Sequence, residues 1–114
     1  NGVLKYAGGG RGWMKVNKQY TNYSAVIIWK FTNQDPTNDA GVFLKAKPGD
    51  NGNPFPASPQ LNMGAQQDFG SIGGTMGSRA RFDLIKANDW NTYQITVRNG
   101  MATLAINGTV AWER

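Results

Sequence analysis

The sequence predicts an all-β protein, a sandwich or jelly roll of antiparallel strands, and three observations carry that expectation. Apolar and β-branched residues recur with a period of two rather than 3.6. Asn-Gly pairs and Pro/Asn/Asp clusters punctuate the chain at the spacing of short strands, about every 8 to 12 residues. No segment carries a helical apolar stripe.

The C-terminal third is the clearest part. Tyr93–Arg98, Met101–Ile106 and Thr109–Glu113 are β-rich runs separated by Asn99-Gly100 and Asn107-Gly108. Asn-Gly suits a two-residue type I′ turn, because both central residues need positive φ. The expected product is a three-strand meander in which Arg98 faces Met101 and Ile106 faces Thr109. That register puts Tyr93, Ile95, Val97, Ala102, Leu104, Ile106 and Ala111 on a core face. Gln94, Thr96, Thr103, Ala105, Val110 and Trp112 then form a polar wall with one large aromatic.

Upstream, Tyr23–Phe31 is apolar at nearly every position and predicts a central strand covered on both faces. Ala40–Ala46 predicts another strand after the loop Asn33–Asp39, and shorter strands are expected at Val3–Tyr6, Trp13–Val16, Leu61–Met63 and Ser71–Gly73. Lys47–Pro59 contains four prolines and predicts a long irregular loop of the kind that borders a site.

Composition narrows the chemistry. At 114 residues a single domain spanning 1–114 is expected. With no Cys and no His, disulfides, thiolate nucleophiles, Ser-His-Asp triads and imidazole-ligated metals are excluded. The net charge of +5 is spread along the chain, so solvated faces are expected rather than a nucleic-acid groove. No apolar run approaches the roughly 20 residues of a helical membrane span, and no membrane partner is expected.

The order of these pieces resembles the 3-keto-disaccharide hydrolase domain family, which has a concanavalin A-like lectin/glucanase jelly roll. Asn1-Gly-Val-Leu4 is similar to the family opening "D-G-x-L", and Trp13 through Tyr23 to its "W-L-x-T…Y-x-D-F" passage. Asp39-Ala-Gly-Val-Phe-Leu-Lys45 resembles "N-S-G-V-F-L-R", Gln60-Leu-Asn62 resembles "E-V-Q", and Phe69–Gly73 resembles "T-G-A-I-Y". Asp89-Trp-Asn-Thr-Tyr93 is similar to "E-W-N-T-Y", and Leu104–Gly108 to "H-W-L-N-G". Gln60 stands where the family motif has an acid, Ile28 where a strand acid often precedes "F-R", and the histidine before "L-N-G" is absent. The family's leading segment and its closing "I-x-F-R-N-I"-like run have no counterpart here, so another chain, a second copy or a further segment of the protein is expected to complete the sandwich.

The resemblance implies glycosides oxidised at C3, whose ketone acidifies the C2 proton and permits cleavage by elimination and water addition. Such a route needs a base and a group to hold the enolate. Asp39 is the expected base or cation ligand and Lys45 the expected electrophile toward the enolate or carbonyl, with Gln60 and Asn62 as polar substrate contacts. Trp13 and Trp112 are expected to stack on sugar, whereas Trp29 is expected in the core and Trp90 in core or corner packing. No cofactor is expected. Asp35 to Gly41 alternates oxygen-bearing side chains but lacks the closing acid of a calcium loop, so a divalent cation has no support from ligand spacing. The expected partner is a carbohydrate, and the expected location is the periplasm or exterior of a bacterium. Replacement of the motif acid by Gln60 leaves two other readings open: a non-catalytic sugar-binding module, or a strand-accepting assembly domain.

Overall fold

Antiparallel pairing builds two sheets, seen in a computed structural model that describes residues 2–10, 12–33, 35, 37–46, 58–64, 69–72 and 80–113. In chain order the strands are β1 (Tyr23–Trp29), β2 (Gly41–Phe43), β3 (Gln60–Asn62), β4 (Asn91–Arg98), β5 (Met101–Ile106) and β6 (Thr109–Glu113). The larger sheet runs β1-β4-β5-β6 and the smaller pairs β2 with β3. A 3-10 turn, Phe82–Leu84, leads into β4. The architecture is an all-β sandwich, as the alternation predicts.

The meander forms in the expected register, with Arg98 opposite Met101 and Ile106 opposite Thr109. Asn99, Gly100, Asn107 and Gly108 all have positive φ, the type I′ requirement. Tyr93, Ile95, Leu104 and Ile106 are fully buried, and Leu61, Met63, Leu44 and Ile72 meet them from the smaller sheet. Each β4 residue on this face alternates with a more exposed one, the signature of a sheet covered on a single side.

One element of the meander departs from expectation. The register shifts between Leu104 and Ala105, so Leu104 faces Trp112 while Ala105 faces Val110. Ala111 is the extra residue of this bulge. An added residue reverses side-chain direction beyond it, and Trp112 turns from the polar wall into the core, where only 7% of it is exposed. Its Nε1–H donates to the Gly70 carbonyl at 2.6 Å. Gly70 itself must be glycine: its φ is +80°, and a Cβ there would lie 2.8 Å from Ile106 Cδ1.

Other expectations are corrected as well. Tyr23–Phe31 is not a central strand covered on both faces. β1 lies at the sheet edge beside β4, and Val26 and Ile28 are 60% and 62% exposed. A continuous apolar run does not reveal which of its faces finds a cover, and the smaller sheet packs on the other side. Val3–Tyr6 and Trp13–Val16 are not strands, and Val3, Leu4, Tyr6, Met14 and Val16 are exposed. β propensity is expressed only where a neighbouring backbone completes the ladder. The strand expected over Ala40–Ala46 shortens to Gly41–Phe43, with Lys45 in the left-handed region at φ 55°. The strand expected at Ser71–Gly73 is a single bridge from Ile72 to Leu61; Gly73 lies outside the described residues. Of the Lys47–Pro59 loop, residues 47–57 also lie outside them. Trp90 is 40% exposed with Lys30 Nζ 5.0 Å from its ring centroid, rather than in the core.

The bulge sets an opposite expectation for two neighbours in β6. Trp112→Ala should cost about 3–5 kcal/mol in urea denaturation, whereas Val110→Ala should change stability by less than about 0.5 kcal/mol. Equal effects at the two positions would contradict the inward rotation of Trp112.

Candidate functional site

The smaller sheet gathers several of the expected site residues on one face. Leu61 is fully buried against the core, so its neighbours Gln60 and Asn62 project from the opposite side of β3. Phe43 faces Gln60 and Gly41 faces Asn62 across the pair, which places all four on the same outward face. Pairing continues past both ends through Met63 N–H to the Ala40 carbonyl and Leu44 N–H to the Pro59 carbonyl, each at 2.9 Å.

Gly41 gives this face its shape. A Cβ at Gly41 would stand 2.3 Å from Gln60 Nε2 and 2.7 Å from the Leu61 carbonyl. The missing side chain therefore lets the Gln60 amide lie across bare β2 backbone. Asn62 is held from three directions. Its Nδ2 donates to Ser71 Oγ at 3.2 Å, its backbone carbonyl accepts from Gly70 N–H at 3.0 Å, and the Tyr93 hydroxyl donates to the same carbonyl at 3.1 Å. Trp13, half-buried, meets Phe43 edge-on with ring centroids 6.5 Å apart, so an indole walls this face.

The two charged candidates stand apart. Asp39 is exposed and precedes Gly41 by two residues, whereas Lys45 is exposed beyond the far end of β2. The two flank opposite ends of β2, which separates them rather than bringing them together. Trp112 lies inside the sandwich with its indole N–H occupied, and no ring face is open to a sugar. The face between Asp39 and Lys45 thus presents neutral amides, an aromatic wall and a strip of backbone.

Sequence reasoning missed the polar corner that carries the segment before β4. Asn91, 2% exposed, donates through Nδ2 to the carbonyls of Lys86 and Asp89, and its Oδ1 accepts from Lys86 N–H at 2.8 Å. Asn107 adds a second amide. Its Nδ2 donates to the Leu84 carbonyl at 2.7 Å and to Asn91 Oδ1 at 2.9 Å, while its Oδ1 accepts from Thr92 N–H at 2.9 Å. The available signal was the choice of Asn in the second turn, since its amide brings two donor hydrogens and a separate acceptor to one position. With its amide so engaged, Asn107 serves as a structural corner.

Two antiparallel sheets packed face to face, with polar side chains on the outer surface of the smaller one, define this as a β-sandwich domain. The chain belongs to the family of 3-keto-alpha-glucoside-1,2-lyase-like domains, whose model matches residues 1–113. No curated protein and no solved structure matches it.

Two outcomes test the geometry of this face. Gly41→Ala should force the Gln60 side chain off β2 and lower stability by about 1–3 kcal/mol through overpacking; an unchanged melting curve and unchanged Gln60 side-chain amide resonances would refute the close approach. Burial pushes the Tyr93 hydroxyl well above its ordinary pKa of 10.0. The unfolded chain therefore releases this proton first, and stability, fully present below pH of about 10, should fall as pH rises beyond it. Tyr93→Phe should lose about 1 kcal/mol at pH 8 yet decline less steeply between pH 9 and 11, as followed by denaturant titration.

Proposed function

We propose that this domain binds and cleaves glycosides oxidised at C3, with the sugar lying across the outward face of β2 and β3. The observation that carries the reading is that, in a chain of this family, one face combines the Gln60 and Asn62 amides, the Trp13–Phe43 wall and a carboxylate at its end. A pyranose offers hydroxyls to amides and an apolar C–H face to an aromatic edge, and a neutral surface suits a neutral substrate.

In this reading Asp39 takes the proton from C2, which the C3 ketone makes acidic. The electron pair moves into the C2–C3 bond and onto the ketone oxygen as an enolate. Collapse of the enolate expels the C1 substituent, whose oxygen takes a proton from water; the hydroxide left behind adds to C1 of the resulting enone and Asp39 returns its proton to C2, which completes hydrolysis. The amide N–H groups of Gln60 and Asn62 are the donors nearest the face and serve the enolate oxygen. Lys45, expected as the electrophile, sits at the opposite end of β2 from Asp39 and is left out of this step. The proposed setting is the periplasm or exterior of a bacterium, where glycosides are met as nutrients.

Gln60 favours a second reading. Where the family motif has an acid this chain has an amide, which hydrogen-bonds sugar hydroxyls as well as a carboxylate does but takes no proton. A sugar-binding module without turnover would use the same face.

Incubation with a 3-keto-α-glucoside, followed by product analysis, separates the two. Asp39→Asn should reduce turnover by about 100-fold or more while leaving the dissociation constant within a few-fold, and Lys45→Met should change turnover only slightly. Binding with no turnover by the unaltered protein would establish the module instead, and a Lys45→Met variant as inactive as Asp39→Asn would return the electrophile role to Lys45.

A further inference from the structure

Strand β1 forms one edge of the larger sheet, and its own outer side is bare. Its strand partner is β4, and among the described residues no other backbone group bonds to Tyr23–Trp29. Natural sheets blunt such edges with a charge, a proline, a bulge or a very short strand. The opposite edge does so: β6 is five residues long, carries the bulge at Ala111 and ends in Glu113. β1 has none of these devices. It runs for seven uncharged residues, Tyr-Ser-Ala-Val-Ile-Ile-Trp, in unbroken register with β4. The cation that follows it, Lys30, is drawn toward β4 rather than over the open edge, with Nζ 5.0 Å from the ring centroid of Trp90, the residue before β4.

We infer that this edge is a homodimer interface, in which β1 pairs antiparallel with β1 of a second copy and joins the two four-stranded sheets into one. A strand that pairs antiparallel with itself does so about a two-fold axis, the commonest symmetry of oligomers. The exposed side chains set the register. Val26 and Ile28, 60% and 62% exposed, lie two residues apart on the outward face. An axis at Ile27 sets Val26 opposite the partner's Ile28 and Ile28 opposite the partner's Val26, so that each apolar side chain covers another. On the inner face Ile27 then meets the partner's Ile27, and Ala25 meets the partner's Trp29, small against large. Ala25, Ile27 and Trp29 are half-buried and already packed on the core, so the seam extends that core from one copy into the next. No like charges come face to face, since Lys30 falls opposite the partner's Ser24.

A second β1 suits this edge better than the exposed runs near the N-terminus. Val3–Tyr6 and Trp13–Val16 are β-patterned and lie outside any strand, but Lys5 and Lys15 interrupt them and Trp13 is packed against Phe43. β1 is the longest uncharged strand and is already formed, so pairing it costs little ordering. The inference is independent of the glycoside reading, because it uses no residue of the β2–β3 face.

Sedimentation velocity on the whole chain should show a monomer–dimer equilibrium with a dissociation constant on the order of 10 µM, as a short strand seam of small area implies. Val26→Lys and Ile28→Glu each set a charge against an apolar side chain and should weaken the dimer by about tenfold or more. The melting curve of the dilute monomer should hardly move, because both side chains face solvent there. Mixing the two variants should restore association, since the introduced ammonium of one chain then faces the introduced carboxylate of the other while Val26 still faces Ile28. A chain that stays monomeric at about 200 µM overturns the inference. So does a dimer that Val26→Lys and Ile28→Glu leave intact, including one lost instead on removal of residues 1–16, which would give the interface to the N-terminal runs. Variants that weaken the dimer separately but do not associate when mixed overturn the axis at Ile27.

Discussion

The sandwich is closed by an indole that crosses it. Trp112 Nε1 donates to the Gly70 carbonyl at 2.6 Å, tying the last strand of the larger sheet to the chain that runs beside β3. This bond exists only because the β5–β6 ladder slips by one residue at Leu104/Ala105 and turns Trp112 inward. It also depends on Gly70, whose left-handed backbone and missing side chain leave room for Leu104 and Ile106. In an apolar interior a hydrogen bond is stronger than in water and costly to leave unmade. It therefore fixes how the sheets lie on one another, where apolar contact alone would allow sliding. The Tyr93 hydroxyl to the Asn62 carbonyl provides a second crossing nearby.

What the outward face presents follows from these crossings. Asn62 is pinned through its backbone by Tyr93 and Gly70, and through its side chain by Ser71. Its amide is thus held from beneath by the core. Gln60 lies over Gly41 because no Cβ occupies that space. The amides of this face stand beside a small aromatic wall, so a ligand of the kind proposed would meet groups already in position and at little ordering cost. The 86–89 segment is likewise held in place, hanging from the Asn91 and Asn107 amides rather than from strand pairing.

The meander was legible because its information is local. Two Asn-Gly pairs specify positive φ at adjacent residues, and alternation then assigns every side chain a face up to the bulge. Beyond it the assignment fails. A one-residue slip at Ala111, which no alternation pattern announces, turns Trp112 into the core while Ala111 stays packed against it. The apolar run of β1 and the β-patterned stretches near the N-terminus misled for a related reason: propensity states a preference for extended backbone, and only a neighbouring strand decides whether and where it pairs. The shared face of Gln60, Asn62, Gly41 and Phe43 could be anticipated only in part, since it depends on pairing β2 with β3 across the intervening 16 residues, Leu44 to Pro59.

By itself the amino-acid order determined an all-β chain, its two type I′ turns, its core residues Tyr93, Ile95, Leu104 and Ile106, and, through its motifs, its family. Those properties are carried by backbone sterics and by the two-residue period, which act over a few neighbours. The tertiary structure alone decided that β1 lies at an edge, that Trp112 serves the core, that Asp39 and Lys45 stand at opposite ends of a strand, and that Trp29 packs among Phe31, Phe69 and Tyr93. Each of these depends on which distant segment covers which face, a choice made by packing between sheets rather than along the chain.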